Sequence, residues 1–366
     1  MKKNNTDLWF KRVVKAFLVL VVCILVPVGC SRTQTPPASA APAVEEPAVE
    51  AYSSGYPIVI QHAFGETVIK SKPERVVTIG WGNQDIPLAL GVVPVGFSEA
   101  NYGVLDDSGL LPWTAERLQE LGGSGALIFG DRSGLDFEAI NEVKPDVILA
   151  SYSGITQEEY QTLSEIAPVV AYPRAPYQTL WREQILINAT GMGMAEEGER
   201  LVEDLEALIA EKTAQYPQIA GKTAAFLYLD AADLSTISAY TPADPRTAFL
   251  TDIGMPLPAS IAALVEGSDN FYLTISSENA DMISDIDIIF TYAAGSNFTE
   301  RIEGNEFLKQ LQNDPLIGTI PAVQRGSIIF LEEGPIAAST TPSALSIPWA
   351  IDEYLALTAE AADKIK

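Results

Sequence analysis

Apolar positions along the chain change period several times, and the changes mark out two similar halves. Ile58-Val59-Ile60 and Thr67-Val68-Ile69 flank a turn at Phe64-Gly65-Glu66, which predicts a hairpin. Arg75 to Ile79 is an apolar run of strand length between Pro73 and Gly80 and predicts a buried strand. Asn83 to Leu90 repeats its apolar residues at helical spacing and stops at Gly91, the residue type that best ends a helix. Val93 to Phe97 is the next strand. Asp146 to Ala150 and Pro168 to Ala171 follow, separated by a helix around Gln157 to Ile166. Strands that alternate with helices predict a parallel sheet covered by helices on its faces.

From about Gln178 to Tyr216 the pattern is helical, broken only at Gly191-Met192-Gly193. In its second part Leu201, Leu205, Leu208 and Ile209 share one face, and Pro217 ends it. Strands resume at Thr223 to Leu229, Asp287 to Tyr292 and Ser327 to Leu331. Helices are predicted near Pro245 to Ile253, Asn305 to Leu311 and Ser343 to Ala361. The chain therefore divides into an α/β lobe over 57–177, linking helices over 178–217 and a second α/β lobe over 218–366.

The two lobes share a local pattern. Asp136-Phe137-Glu138 opens a short helix and leads into Lys144-Pro145-Asp146-Val147-Ile148, while Ser276-Ser277-Glu278 leads into Asp285-Ile286-Asp287-Ile288-Ile289. The Glu-to-Asp spacing is eight residues in the first and nine in the second. Each Glu sits in a first helical turn behind an Asp or Ser able to cap it, where a carboxylate suits the helix dipole.

The first 30 residues differ from all of this. Lys2, Lys3, Lys11, Arg12 and Lys15 precede an apolar run from Ala16 to Val28 that closes on Gly29-Cys30. The run is short for a membrane span, which takes about 20 residues, and ends on a small residue as a cleaved signal does. Gly29-Cys30 is similar to a bacterial lipobox, in which the Cys is lipidated and becomes the new N-terminus. Pro27 stands where that pattern has an aliphatic residue, so an uncleaved signal anchor is the alternative. Residues 31–56 are rich in Pro, Ala, Ser and Glu and predict a disordered tether.

Composition narrows the chemistry. The formal charge is −25, and loss of the leader, with five basic residues and one acid, takes it near −29. Nucleic acid needs clustered Lys and Arg and is excluded as a partner. Of the two cysteines, Cys23 lies in the leader, so neither a disulfide nor a Cys-based metal site is expected. The one histidine, His62, has no ligand partners at metal-site spacing and sits beside the hairpin turn, which makes it structural. Gly-x-Ser-x-Gly and G-x-G-x-x-G motifs are absent from this sequence, and a single His leaves little for nucleophilic catalysis. A binding protein without a cofactor fits better than an enzyme.

Gln61-His62-Ala63-Phe64-Gly65, Lys72-Pro73-Glu74-Arg75-Val76-Val77, Leu88 to Gly96 and Lys144-Pro145-Asp146-Val147-Ile148 together resemble the iron–siderophore and cobalamin class of ABC-importer binding proteins. Asp314-Pro315-Leu316-Ile317 and Pro321-Ala322-Val323-Gln324 extend the resemblance toward ferric-enterobactin-type binders. It implies two Rossmann-like lobes joined by one long helix, with ligand between them and little lobe movement on binding. It also implies a monomer, a lipid-anchored position facing the periplasm or cell exterior, and delivery to a permease dimer with its ATPase. Glu138 and Glu278 match the surface glutamates that pair with permease arginines in that class. Iron would be held by the siderophore, not by the protein.

Ligand in such a fold lies outside the strand ends. Aromatic and Arg residues there are Trp81, Tyr102, Arg132, Tyr152 and Arg174 in the first lobe, and Tyr228, Tyr240, Arg246 and Tyr292 in the second. Flat rings suit a wide ferric complex, and planar guanidinium suits its oxygens. Glu332 to Thr341 contains no Arg where enterobactin-type binders use a basic residue, which leaves hydroxamate or mixed-ligand siderophores open beside catecholates. Cobalamin and haem are the alternative ligands of the same class, and an anchored receptor or adhesin without an importer is the alternative of a different one.

Overall fold

Alternation decides the first elements. In the computed structural model β1 (Ile58–His62) buries every second residue and pairs antiparallel with β2 (Gly65–Ile69), from Ile58 against Ile69 to His62 against Gly65. Residues 55–123, 125–131, 134–292, 303–331 and 334–365 are described. The leader with Cys30, the tether up to Ser54, Arg132 and the pair Glu332–Glu333 lie outside the described residues. His62 fixes the hairpin to its lobe. The Thr67 hydroxyl donates to Val169 O (2.6 Å), so His62 Nε2–H donates to Thr67 (2.9 Å), while Phe64 N–H donates to Nδ1 (3.2 Å). Both ring nitrogens are thus used in the neutral form, and burial lowers the pKa in the same sense.

The first lobe is one parallel sheet. Its strands are β3 (Val76–Thr78), β4 (Gly96–Ser98), β5 (Leu127–Phe129), β6 (Val147–Ala150) and β7 (Val169–Ala171), in the order β5-β4-β3-β6-β7. β3, β4, β6 and β7 are buried at every position, as a sheet covered on both faces requires. Helices α1 (Asp85–Ala89), α2 (Pro112–Glu120), α3 (Phe137–Glu142) and α4 (Gln157–Ile166) connect them. The chain leaves β3 for β4 and β5 on one side, then returns to the other side at β6. The crevice at that reversal, beyond the carboxyl ends of β3, β4 and β6, is where open α/β sheets bind ligands.

The link is two helices, α5 (Trp181–Gly191) and α6 (Ala195–Thr213), and of these α6 is the long one. Gly193, at φ +68, ends the first, and Met194 N–H turns back to Ala189 O at 2.8 Å. A left-handed residue there favours glycine. Leu205 and Ile209 are buried, with Leu201 and Leu208 packed beside them.

The second lobe has β8 (Ala224–Asp230), β9 (Asp233–Tyr240), α7 (Pro245–Asp252), α8 (Ala259–Val265), β10 (Tyr272–Ser276) and β11 (Ile288–Tyr292). Then come α9 (Gly304–Asn313), α10 (Pro321–Arg325), β12 (Ile328–Leu331), α11 (Pro335–Ser339) and α12 (Ser346–Ala362). The strand order is β10-β9-β8-β11-β12, with β8, β11 and β12 parallel and β9 and β10 antiparallel. The antiparallel pair is an addition to the pattern the sequence suggested. β9 buries only two of its eight residues, so its apolar signal is weak.

Asp146 and Asp287, the ends of the repeated pattern, do the same work in both lobes. Asp146 accepts from Glu74 N–H (2.8 Å) and Arg75 N–H (2.9 Å), which lead into β3, and Asp287 accepts from Thr223 N–H (3.1 Å), which leads into β8. Each pattern ends in a carboxylate that ties the strand carrying it to the first strand of its lobe.

One apolar core runs through both lobes, from Val76, Val147 and Leu149 across Trp181, Ile185 and Leu205 to Phe226, Phe290, Ile351 and Tyr354. Phe290 is stacked between Phe226 (6.1 Å) and Tyr354 (5.4 Å). Truncating such a ring to Ala costs about 3–5 kcal/mol. A continuous core across the linking helices makes the lobes resist separation.

Candidate functional site

A cavity of about 620 Å³ opens between the lobes. From the first lobe it is lined by segments that follow β3 (Ile79 to Gly82), β4 (Glu99 to Tyr102), β5 (Asp131) and β6 (Tyr152 to Ile155). From the second come Arg246, Tyr292, Ala337, Ala338 and Thr341.

The floor is a buried polar network centred on Asn83. Its Nδ2 donates to Ile79 O (2.8 Å) and Tyr152 O (2.9 Å), which ties the ends of β3 and β6 together under the cavity. Its Oδ1 accepts from Asn188 Nδ2 (2.8 Å) and Gln184 Nε2 (3.2 Å) of α5. Gln184 Nε2 also reaches Trp81 O (3.0 Å), so the linking helix holds the Trp81 loop directly. Next to it the Asp85 carboxylate, 1% exposed, accepts from Trp113 Nε1 (2.9 Å), Thr114 Oγ1 (3.0 Å) and, across the lobes, Ser343 Oγ. Burial pushes its pKa up to about 6, against the pull of those donors.

Among the described residues that line the cavity, Arg246 is the cationic one. Asp244 caps α7 through Arg246 N–H (2.8 Å) and receives the guanidinium at both oxygens, at 2.9 Å from Nε and 2.5 Å from Nη2. Nη1 reaches the Tyr292 hydroxyl (3.3 Å), and the guanidinium carbon stands 4.1 Å from the Tyr240 ring centroid. Burial disfavours the charge, but Tyr292, Asp244 and Tyr240 outweigh it and raise the pKa well above its usual value. A planar cation fixed at two oxygens and one ring face is oriented before any ligand arrives.

Trp81, Tyr102, Tyr152, Arg246 and Tyr292 therefore meet in the cavity wall. Tyr240 stands behind Arg246 as its stacking partner and does not line the cavity. Arg174 is taken by Glu183 of α5, at 2.8 and 2.7 Å, which holds it off the wall. Tyr228 is half-buried on β8 and also lies off it. Arg132 lies outside the described residues. Tyr177, Glu99, Asp131 and Glu159 line the cavity without having been singled out. Glu99 and Asp131 follow strands as closely as the aromatics do, so a strand-end rule that included acids would have found them. Among the described residues no group of three or more His, Cys, Asp or Glu is placed to hold a metal ion.

Glu138 is exposed in the first turn of α3, whose cap Asp136 accepts from Ala139 N–H (2.9 Å). Glu278 is exposed in the 3₁₀ turn Ser277–Ile283, with Ser276 Oγ accepting its N–H (3.4 Å). Neither makes an ion pair among the described residues.

Two α/β lobes braced by helices, with a cavity between them at the strand ends, form the architecture of a solute-binding protein. The chain belongs to the periplasmic binding protein family, whose pattern matches residues 76–334. The crystal structure of PiaA from Streptococcus pneumoniae TIGR4 in complex with ferrichrome is similar at 48% identity and a TM-score of 0.77, covering 84% of this chain and 99% of that one. A second crystal structure, of the iron uptake ABC transporter substrate-binding protein PiaA from the same organism, matches at 46% identity and a TM-score of 0.74, covering 84% of this chain and all of that one. The Fe(3+) dicitrate-binding periplasmic protein FecB of Escherichia coli K12 is 30% identical over 128 residues, 32% of this chain; the match spans 38% of that relative's length.

Proposed function

We propose that this protein binds an iron(III)–siderophore complex outside the cytoplasmic membrane and delivers it to an ABC importer. The observation that carries the reading is the match along 84% of the chain, at 48% identity, to a protein solved with ferrichrome. The site chemistry supports it. Trp81, Tyr102, Tyr152 and Tyr292 offer ring faces to a wide complex, and Arg246 offers donors to the iron-bound oxygens. Ferrichrome is an uncharged ferric hydroxamate, and a wall whose described residues include Glu99, Asp131 and Glu159 with an arginine already paired to Asp244 suits such a ligand better than a polyanionic catecholate.

Glu138 and Glu278, one on each lobe, are the docking contacts for the arginines of a permease dimer driven by its ATPase. Cys30 is the lipid attachment point that keeps the monomer at the membrane. No described helix is long and apolar enough to cross a membrane. Mass spectrometry of protein purified from its native, iron-limited source tests the ligand. A retained ferric siderophore is expected; retained cobalamin or haem instead would overturn the reading.

A further inference from the structure

Tyr177 is held in a conformation that its residue type disfavours. Its backbone is left-handed, at φ +59, an uncommon state for any residue with a side chain and a costly one for a bulky ring. Among the described residues only Lys144, at φ +48, shares that state without being glycine. Bonds on either side keep it there. Tyr177 N–H donates to Ser153 O (3.2 Å), Thr179 Oγ1 donates to Ser151 O, and Gln178 Nε2 reaches Asp269 O of the second lobe (3.3 Å). Residues 177–179 are thus laced to the chain that leaves β6 and joined to the other lobe, which leaves the backbone little room to relax.

The ring also has a seat. A Cβ added to Gly154 would stand 2.2 Å from the Tyr177 hydroxyl oxygen and 2.5 Å from the ring carbon that carries it, so the side chain lies there only because residue 154 is glycine. The ring meets Tyr152 edge to face at 5.8 Å, and Gly154, Tyr152 and Tyr177 all line the cavity. Yet Tyr177 is 49% exposed, so the fold recovers little apolar burial in return for the strain. A strained backbone and a glycine seat that together present a half-exposed ring inside a ligand cavity serve binding rather than folding.

We propose that Tyr177 is an affinity-determining ligand contact, its ring forming a wall of the cleft on which the ferric complex packs, and that Gly154 is the positioning residue that seats the ring. The inference rests on the cavity being the siderophore site. A ring face suits an uncharged ferric hydroxamate, which offers apolar area to pack against.

Calorimetric titration with ferrichrome, run beside urea unfolding, tests it. Tyr177→Gly removes the ring and suits the left-handed backbone, so its unfolding midpoint should be no lower than that of the wild-type protein. Ferrichrome should nevertheless bind to it about tenfold more weakly. Tyr177→Phe keeps the ring face and should bind within about twofold of wild type. Gly154→Ala displaces the ring and should weaken binding as much as Tyr177→Gly does. In the double variant the added Cβ meets no ring, so its affinity should match that of Tyr177→Gly alone, whereas independent sites would multiply their losses. Wild-type affinity in Tyr177→Gly, a lower unfolding midpoint there, or losses that multiply in the double variant would overturn the inference. With the wild-type protein still binding ferrichrome, any of these would leave the siderophore reading standing. Failure of the wild-type protein to bind ferrichrome or any other ferric siderophore would remove that reading, and this inference with it.

Discussion

The two lobes start their sheets with the same device and finish them differently. In each, an aspartate at the head of a central strand holds the backbone leading into the first strand, Asp146 for β3 and Asp287 for β8. At the ligand end the first lobe sends a segment from each of four parallel strands to the cavity, which gives a broad wall of rings and carboxylates. The second lobe spends two strands on the antiparallel pair β9–β10 and offers chiefly one cation, Arg246, backed by aromatic rings. One lobe supplies contact area and the other a fixed charge.

The largest effect should come from breaking that charge. Arg246→Ala leaves Asp244, whose side chain is 0% exposed, buried and unpaired. Removing one partner of such a pair costs about 3–5 kcal/mol, so a matching drop in denaturant stability is expected. A cost under about 1 kcal/mol would show that water pairs the aspartate and that the anchor is not preorganised.

Asp85 gives the next effect, on the seam between lobes. Its pKa is raised from 3.8 to about 6 in the folded state, so the folded protein binds the extra proton. Its contribution to stability is therefore full below pH 3.8 and is lost as pH rises through about 6. The two-unit shift corresponds to about 3 kcal/mol. Wild-type stability relative to Asp85→Asn should fall across that window in urea titrations at several pH values. A flat difference would mean that the trans-lobe contact with Ser343 does not sense the proton.

Tyr152→Phe sharpens the contrast with Arg246. No hydrogen bond among the described residues is lost, so stability should change by less than about 0.5 kcal/mol. Ferric-hydroxamate affinity should nevertheless fall by about three- to tenfold, the loss of one hydrogen bond. The smallest effect on folding belongs to Glu138→Lys and Glu278→Lys, where both residues are exposed. Stability should move by less than about 0.5 kcal/mol while iron uptake in cells is lost. Undiminished uptake in the double variant would remove the docking assignment.

Much of this arrangement was legible in the chain. The buried strands β3 and β6 are continuous apolar runs, and Gly191-Met192-Gly193 marks the break between α5 and α6. β9 and β10 were not legible, because β9 buries only two of its eight residues and β10 only one of its five, which leaves little apolar alternation to read. At the site, ring and strand-end logic reached Trp81, Tyr102, Tyr152, Arg246 and Tyr292. It also named Arg174, which the structure pairs with Glu183 of the next helix, a pairing that only the fold creates. It also passed over Tyr177, whose left-handed backbone and glycine neighbour leave no mark in the hydropathy pattern.

The most direct test of the account is tryptophan and tyrosine fluorescence during titration with ferrichrome, with cobalamin and haem as controls. Saturable quenching at one equivalent of ferrichrome is predicted, weakened in Arg246→Lys, with neither control producing it. Saturable quenching by cobalamin or haem, with none from ferrichrome or any other ferric siderophore, would contradict the account.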